Sequence, residues 1–133
     1  MARSEELIKK IYNAVQEVYD NDNQVSLEVQ KRKIQKEMNP GAFSDFYYGY
    51  VKLRTGEISK RGLETRSYDY FISKIYEEYG KAGLEKALHS FRQTLDYYQQ
   101  TIGAPCHSWQ RIYDKYCHIL DSDTTHYTNC RGE

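Results

Sequence analysis

Residues 43–54 mix aromatic rings with cations on one short stretch: Phe43, Phe46, Tyr47, Tyr48, Tyr50, Lys52 and Arg54. Such a mixture suits a polyanion. Lys and Arg neutralise phosphates, tyrosine hydroxyls donate to phosphate oxygens, and an exposed ring stacks on an unpaired base. Lys31, Lys33 and Lys36 precede this stretch, and Lys60, Arg61 and Arg66 follow it. The candidate nucleic-acid-binding set is therefore Lys31, Lys33, Lys36, Tyr48, Tyr50, Lys52, Arg54, Lys60, Arg61 and Arg66. A plainer account competes for part of it. Phe43, Phe46, Tyr47 and Tyr50 recur at helical spacing and would form a buried stripe. Tyr48 and the five candidate Lys and Arg residues from 52 onward are then the better surface candidates.

A second group lies near the end of the chain, where Cys106, Cys117 and Cys130 share 25 residues with His107, His118 and His126. Zinc sites draw on Cys and His in tight local pairs, with two to four residues between members. Only His126 and Cys130 have that spacing, so Cys106, Cys117, His126 and Cys130 are weak metal candidates and no cofactor is expected. An HNH-type nuclease centre would need a histidine base and further His or Asn groups around a divalent ion. His118, His126 and Asn129 supply the residue types without a strand-turn-strand pattern to carry them. Glu77 with Glu78, and Asp121 with Asp123, lack a partner cluster for acid–base work.

The chain has 133 residues and a formal net charge of zero, and 14 tyrosines supply much of its apolar content. That length suits one domain. The charge is uneven: residues 30–66 carry nine Lys/Arg and four Asp/Glu, a balance of +5, and the remainder carries −5. A dipolar molecule of this kind can hold an anionic partner on one face. No run of about 18 apolar residues marks a membrane span. The first residues lack a signal-peptide layout, which predicts a cytoplasmic chain with reduced thiols.

The elements that must position these groups all read as helices. Ser4 is a plausible N-cap for a helix on Leu7, Ile8, Ile11, Tyr12, Val15, Val18 and Tyr19, ending at residues 20–23. Ser26 would cap a second helix carrying Leu27, Gln30, Ile34 and Met38. Asn39, Pro40 and Gly41 stop it, because the residue before proline disfavours helix. A third helix runs from about Ala42 to Arg54, with Thr55 and Gly56 as its stop. A fourth covers roughly 64–79 and ends at Gly80. A fifth covers roughly 82–101, closed by Gly103 and Pro105, and Ser108 caps a short sixth. The sequence predicts an all-α, compact single-domain bundle of five to six helices over residues 1–120, with a loosely ordered tail at 121–133. The pair around residues 27–54 has the dimensions of a helix-turn-helix, in which the second helix reads the major groove. Asp45 sits where a phosphate would, and plain bundle packing explains the same pair.

The motifs Met38-Asn39-Pro40-Gly41-Ala42-Phe43-Ser44-Asp45-Phe46-Tyr47, Gly56, Arg61, Tyr70-Phe71-Ile72-Ser73-Lys74-Ile75-Tyr76-Glu77-Glu78-Tyr79-Gly80, Leu84-Glu85-Lys86-Ala87-Leu88 and Tyr97-Tyr98 together resemble a known helical module. It is found in the N-terminal part of some bacterial HNH endonucleases of restriction type. Ala42 replaces a serine of that pattern, and Leu95 replaces a histidine. The resemblance implies a stand-alone, non-catalytic relative of a nuclease-associated domain, from a bacterial defence system or a phage. The expected partner is nucleic acid, with DNA favoured, bound without a membrane. The alternatives are a protein-interaction module docking through its tyrosines and, third, a small metal-dependent nuclease built on the C-terminal His, Cys and Asn residues.

Overall fold

The Ser4 hydroxyl accepts a hydrogen bond from the Leu7 amide at 3.2 Å, which starts α1 (Glu5–Asp20) where the sequence placed it. Glu5 and Glu6 in its first turn complement the helix dipole. Its apolar stripe of Ile8, Ile11, Tyr12, Val15 and Val18 is buried. Asn21 ends the helix by bonding the Glu17 carbonyl through its side chain at 2.8 Å. The computed structural model describes residues 3–21 and 27–123. Ser26, the expected cap of the second helix, lies outside the described residues, as do His126, Asn129 and Cys130.

Helix α2 (Leu27–Ile34) is shorter than the apolar spacing suggested. The amides of Glu37 and Met38 both turn back to the Ile34 carbonyl, so Met38 is buried from a turn and not from the helix. Helix α3 (Pro40–Thr55) begins two residues before the expected Ala42. Proline at the first helical position gives up only a donor that has no partner there anyway, and the Asn39 side chain caps the Gly41 amide at 2.7 Å. The stop is as expected: Gly56 adopts φ 82° and its amide bonds the Lys52 carbonyl.

The fourth and fifth expected helices join into one element, α4 (Thr65–Tyr97). Gly80 still divides it, with φ 72° and ψ −159° in the middle of the helix. That backbone region is almost closed to residues with a Cβ. Nothing lies within 4 Å of a Cβ built there, so conformation rather than space demands the glycine. A π-turn (Tyr98–Ile102) follows, and then α5 (His107–Ser122). The cap position of α5 is Cys106, in a left-handed conformation, and not the expected Ser108. The Ser108 hydroxyl is shared with Thr65 at 2.7 Å, which ties the starts of α5 and α4 together. The helix also runs to Ser122, two residues beyond the expected end of the domain.

The protein is thus an all-α bundle of five helices, with no strand among the described residues. Among those residues no helix is long and apolar enough to cross a membrane. Helix α4 is the hub, in contact with α1, α3 and α5. Two aromatic clusters fill the core. Tyr12 meets Tyr50 and Phe71 edge-on at 5.4 and 5.2 Å, where α1, α3 and α4 converge. Tyr68 stacks on Phe91 at 4.2 Å beneath Trp109, which joins α5 to both limbs of α4. Gly80→Ala is expected to lower stability by about 1–3 kcal/mol, the cost of holding an L-residue in that region. A urea titration reads this as an earlier midpoint at constant slope, and an unchanged midpoint would mean that the kink tolerates any residue.

Candidate nucleic-acid interface

The ten candidate residues divide into three groups. Lys31, Lys33 and Lys36 follow one another along and just after α2. Lys31 pairs with Glu28 at 3.3 Å within the helix. Lys33 and Lys36 are exposed, as is Arg32 directly before Lys33, and none of the three has a carboxylate partner among the described residues. Arg32 counted toward the basic segment but not toward the candidate set. Its exposure is the signal that adds it, and periodicity gave no way to see that.

Tyr48, Lys52 and Arg61 form the second group. Asp45, Tyr48 and Lys52 share the outer face of α3 by helical spacing. The opposite face buries Phe43, Phe46, Gly49, Tyr50 and Leu53. Arg61 joins the outer face from the following loop, with its guanidinium 3.6 Å from the Asp45 carboxylate and its side chain 75% exposed. Lys52 pairs with Glu57 at 3.0 Å. The acid that would repel a phosphate at the start of α3 therefore already holds a cation. Lys60 lies beside this group in sequence and stands over the Tyr97 ring at 5.6 Å.

Tyr50 and Arg54 leave the surface set, and Arg66 stays exposed but elsewhere. Tyr50 is 0% exposed and cannot stack on a base. Burial, the largest influence, holds its hydroxyl well above the ordinary phenol range. That hydroxyl accepts a 2.7 Å hydrogen bond from Arg54, whose guanidinium lies 3.7 Å from the Tyr79 ring centre and 3.6 Å from the Asp20 carboxylate. Arg54 is a largely buried cation, its side chain 18% exposed beneath Tyr50, Tyr79 and Asp20. Arg66 stands apart from it. Thirteen residues of α4 separate Arg66 from Tyr79, about 20 Å of helix rise. There it donates to the Arg3 carbonyl at 3.2 Å and lines a cavity of ≈ 280 Å³ with Glu5, Asp69, Tyr70, Lys115 and Tyr116. The expected convergence of all the cations into one patch does not occur.

The described part of the Cys/His group does not assemble either. Cys106 caps α5 and Cys117 lies eleven positions along it, with no disulfide between them. Eleven helical residues separate them by about 16 Å, too far to share one ion. Burial pushes the Cys106 thiol up, away from the thiolate a metal needs. Among the described residues no three His, Cys, Asp or Glu groups are placed to hold a metal.

This geometry defines a class, an all-helical domain with cations exposed on α2 and on the outer face of α3. No protein-family model, curated protein or solved structure matches the chain.

The cavity beside Arg66 carries a pH signature. Burial raises the Asp69 pKa, but hydrogen bonds from Lys115 at 2.7 Å and Tyr116 at 2.6 Å outweigh it and hold the carboxyl below 3.8. A depressed carboxyl stabilises the fold above its unfolded pKa, and that contribution is lost as pH falls through the folded value. Asp69→Asn is expected to be less stable than the parent protein at neutral pH. The difference should shrink below pH 3.8, as thermal melts across the acid range would show.

Proposed function

We propose that this chain is a non-catalytic helical domain that binds nucleic acid, with DNA as the favoured form, in the setting of bacterial restriction or of phage counter-defence. One observation carries the reading: Arg32, Lys33 and Lys36 are exposed with no carboxylate partner among the described residues, on α2 and in the turn that follows it. These three meet a phosphate with no ion pair to give up, and each one that does so releases counterions from the polyanion. The setting rests on the resemblance of residues 38–98 to the helical module of HNH restriction endonucleases.

Base reading by α3 is not part of this proposal. Its outward residues are Ser44, Asp45, Tyr48 and Lys52, and they lack the Arg, Asn or Gln forks that recognise purine edges. Binding is therefore expected to depend on backbone charge more than on sequence. The protein-docking alternative has less behind it. Among the described residues the exposed large hydrophobics are Val29, Tyr48 and Ile102, on three different elements, and single exposed apolar residues are normal on any surface.

Three phosphate contacts give a log–log salt slope of about −2.7 on duplex DNA, a loss of about 40-fold between 50 and 200 mM salt. Fluorescence anisotropy with a labelled duplex measures this directly. The triple change Arg32→Glu, Lys33→Glu and Lys36→Glu is expected to abolish binding to any sequence. Lys74→Gln is expected to leave binding intact, because Lys74 lies on α4, outside the candidate set, beside Glu77 at 3.1 Å. If the triple variant retained DNA as well as the parent protein, the reading would be wrong.

A further inference from the structure

The outer face of α3 carries a cation, a ring and a cation in line. Asp45, Tyr48 and Lys52 stand at i, i+3 and i+7, so Asp45 and Lys52 are about 10 Å apart along the helix with Tyr48 between them. Arg61 occupies the Asp45 end at 3.6 Å. Its place there is fixed by the loop that carries it. The Thr94 hydroxyl bonds both the amide and the carbonyl of Ser59 at 3.2 and 2.8 Å. The Tyr98 hydroxyl accepts from the Gly62 amide at 3.0 Å, and the Trp109 indole donates to the Leu63 carbonyl at 3.1 Å. Gly62 has no room for a side chain, since a Cβ would fall 2.2 Å from the Trp109 ring. Arg61 is therefore presented by an anchored loop on the α3 face, and its own side chain stays 75% exposed.

Tyr48 is 57% exposed, the most exposed large hydrophobic residue among those described. Its ring rests edge-on against Tyr47 at 5.3 Å, which limits the orientations it can sample. A ring braced from the side, with a cation on each flank, has the layout of a stacking platform for one nucleotide. The base lies on the ring and the phosphates on its two sides meet Arg61 and Lys52. A duplex does not fit this description, because its bases are already stacked on one another and would have to be pulled apart first. The two cations have carboxylate partners in Asp45 and Glu57, but exposed pairs of this kind are weak and exchange readily for a phosphate.

We infer that the Arg61–Tyr48–Lys52 face binds an unpaired base, so that the preferred ligand is single-stranded nucleic acid or a duplex with an opened or unpaired position. This inference rests on the nucleic-acid reading above and specifies the ligand. Phosphate contacts from α2 supply general affinity, and the α3 face supplies the preference for single strands.

The test compares a labelled oligothymidylate with a fully paired duplex of the same length, by anisotropy in the same buffer. The parent protein is expected to hold the single strand more tightly. Tyr48→Ala is expected to weaken single-strand binding about 5- to 150-fold, the range for loss of one stacked base, and to leave the duplex affinity unchanged. Tyr48→Trp is expected to keep the preference, since any large ring offers a stacking face. Asp45→Asn is expected to tighten single-strand binding by up to about 5-fold, because Arg61 loses its competing partner. Equal affinity for both ligands, or a Tyr48→Ala variant that loses both equally or neither, would overturn the inference while leaving the nucleic-acid reading in place. Failure of the parent protein to bind either ligand would overturn both. Urea unfolding of each variant guards against misfolding, and the exposure of Tyr48 and Asp45 makes unchanged midpoints the expected result.

Discussion

Three helix ends meet at one cation. The Arg54 guanidinium, near the end of α3, lies 3.7 Å from the ring centre of Tyr79 on α4 and 4.9 Å from that of Tyr19 on α1. It also donates to the Tyr50 hydroxyl on its own helix and pairs with Asp20 at the last residue of α1. Each aromatic contact contributes about 0.5–2 kcal/mol, the upper end where water is excluded, and the Arg54 side chain is only 18% exposed. The cost of burying a charge is met by placing rings, hydroxyl and carboxylate around it together. Gly80 follows Tyr79 directly, so the bend in α4 starts at the residue that Arg54 holds. The relative placement of α1, α3 and the first limb of α4 depends on this one group.

The same constraint shapes what is left for the surface. The segment of residues 30–66 carries an excess of five positive charges, and the fold brings acids to several of them. Asp20 reaches Arg54, Asp45 holds Arg61, Glu57 holds Lys52 and Glu28 holds Lys31. Three of those pairs each have a largely exposed partner and are weak, so they bias side-chain positions more than they add stability. Arg54 is different, because its carboxylate partner and its rings close over it. The surface charge that remains open, on α2 and around Tyr48, is smaller than the sequence total and more sharply placed. On the proposed reading, α2 holds the backbone of a polyanion while α3 offers a ring to a base. Both tasks fall to residues that the core does not use.

Much of the architecture was legible in the chain. Ser4, the left-handed Gly56 and the break at Gly80 are local devices, each acting within a turn of its own position, so residue type alone reveals them. The burial of Phe43, Phe46 and Tyr50 followed from spacing for the same reason. The end of α2 was misjudged because Met38 has the right spacing for the helix, and a turn can bury a side chain as well as a helix can. The cap of α5 was misjudged because Ser108 is a good cap by type, but a hydroxyl partner 43 residues away on Thr65 claims its side chain.

The sequence by itself determined that this protein is helical, where most helices begin and end, and which face of each turns inward, because hydrogen bonds and apolar periodicity act over a few residues. It did not determine which cations are available. Arg54 and Asp20 lie 34 residues apart, and Arg61 and Asp45 lie 16 apart, and only the folded chain brings such partners within 4 Å. Charge is additive along a sequence, but its effect depends on distance and burial. Tertiary structure therefore decided that Arg54 belongs to the core, that Arg66 faces a separate cavity, and that Tyr48 stands in the open between Arg61 and Lys52.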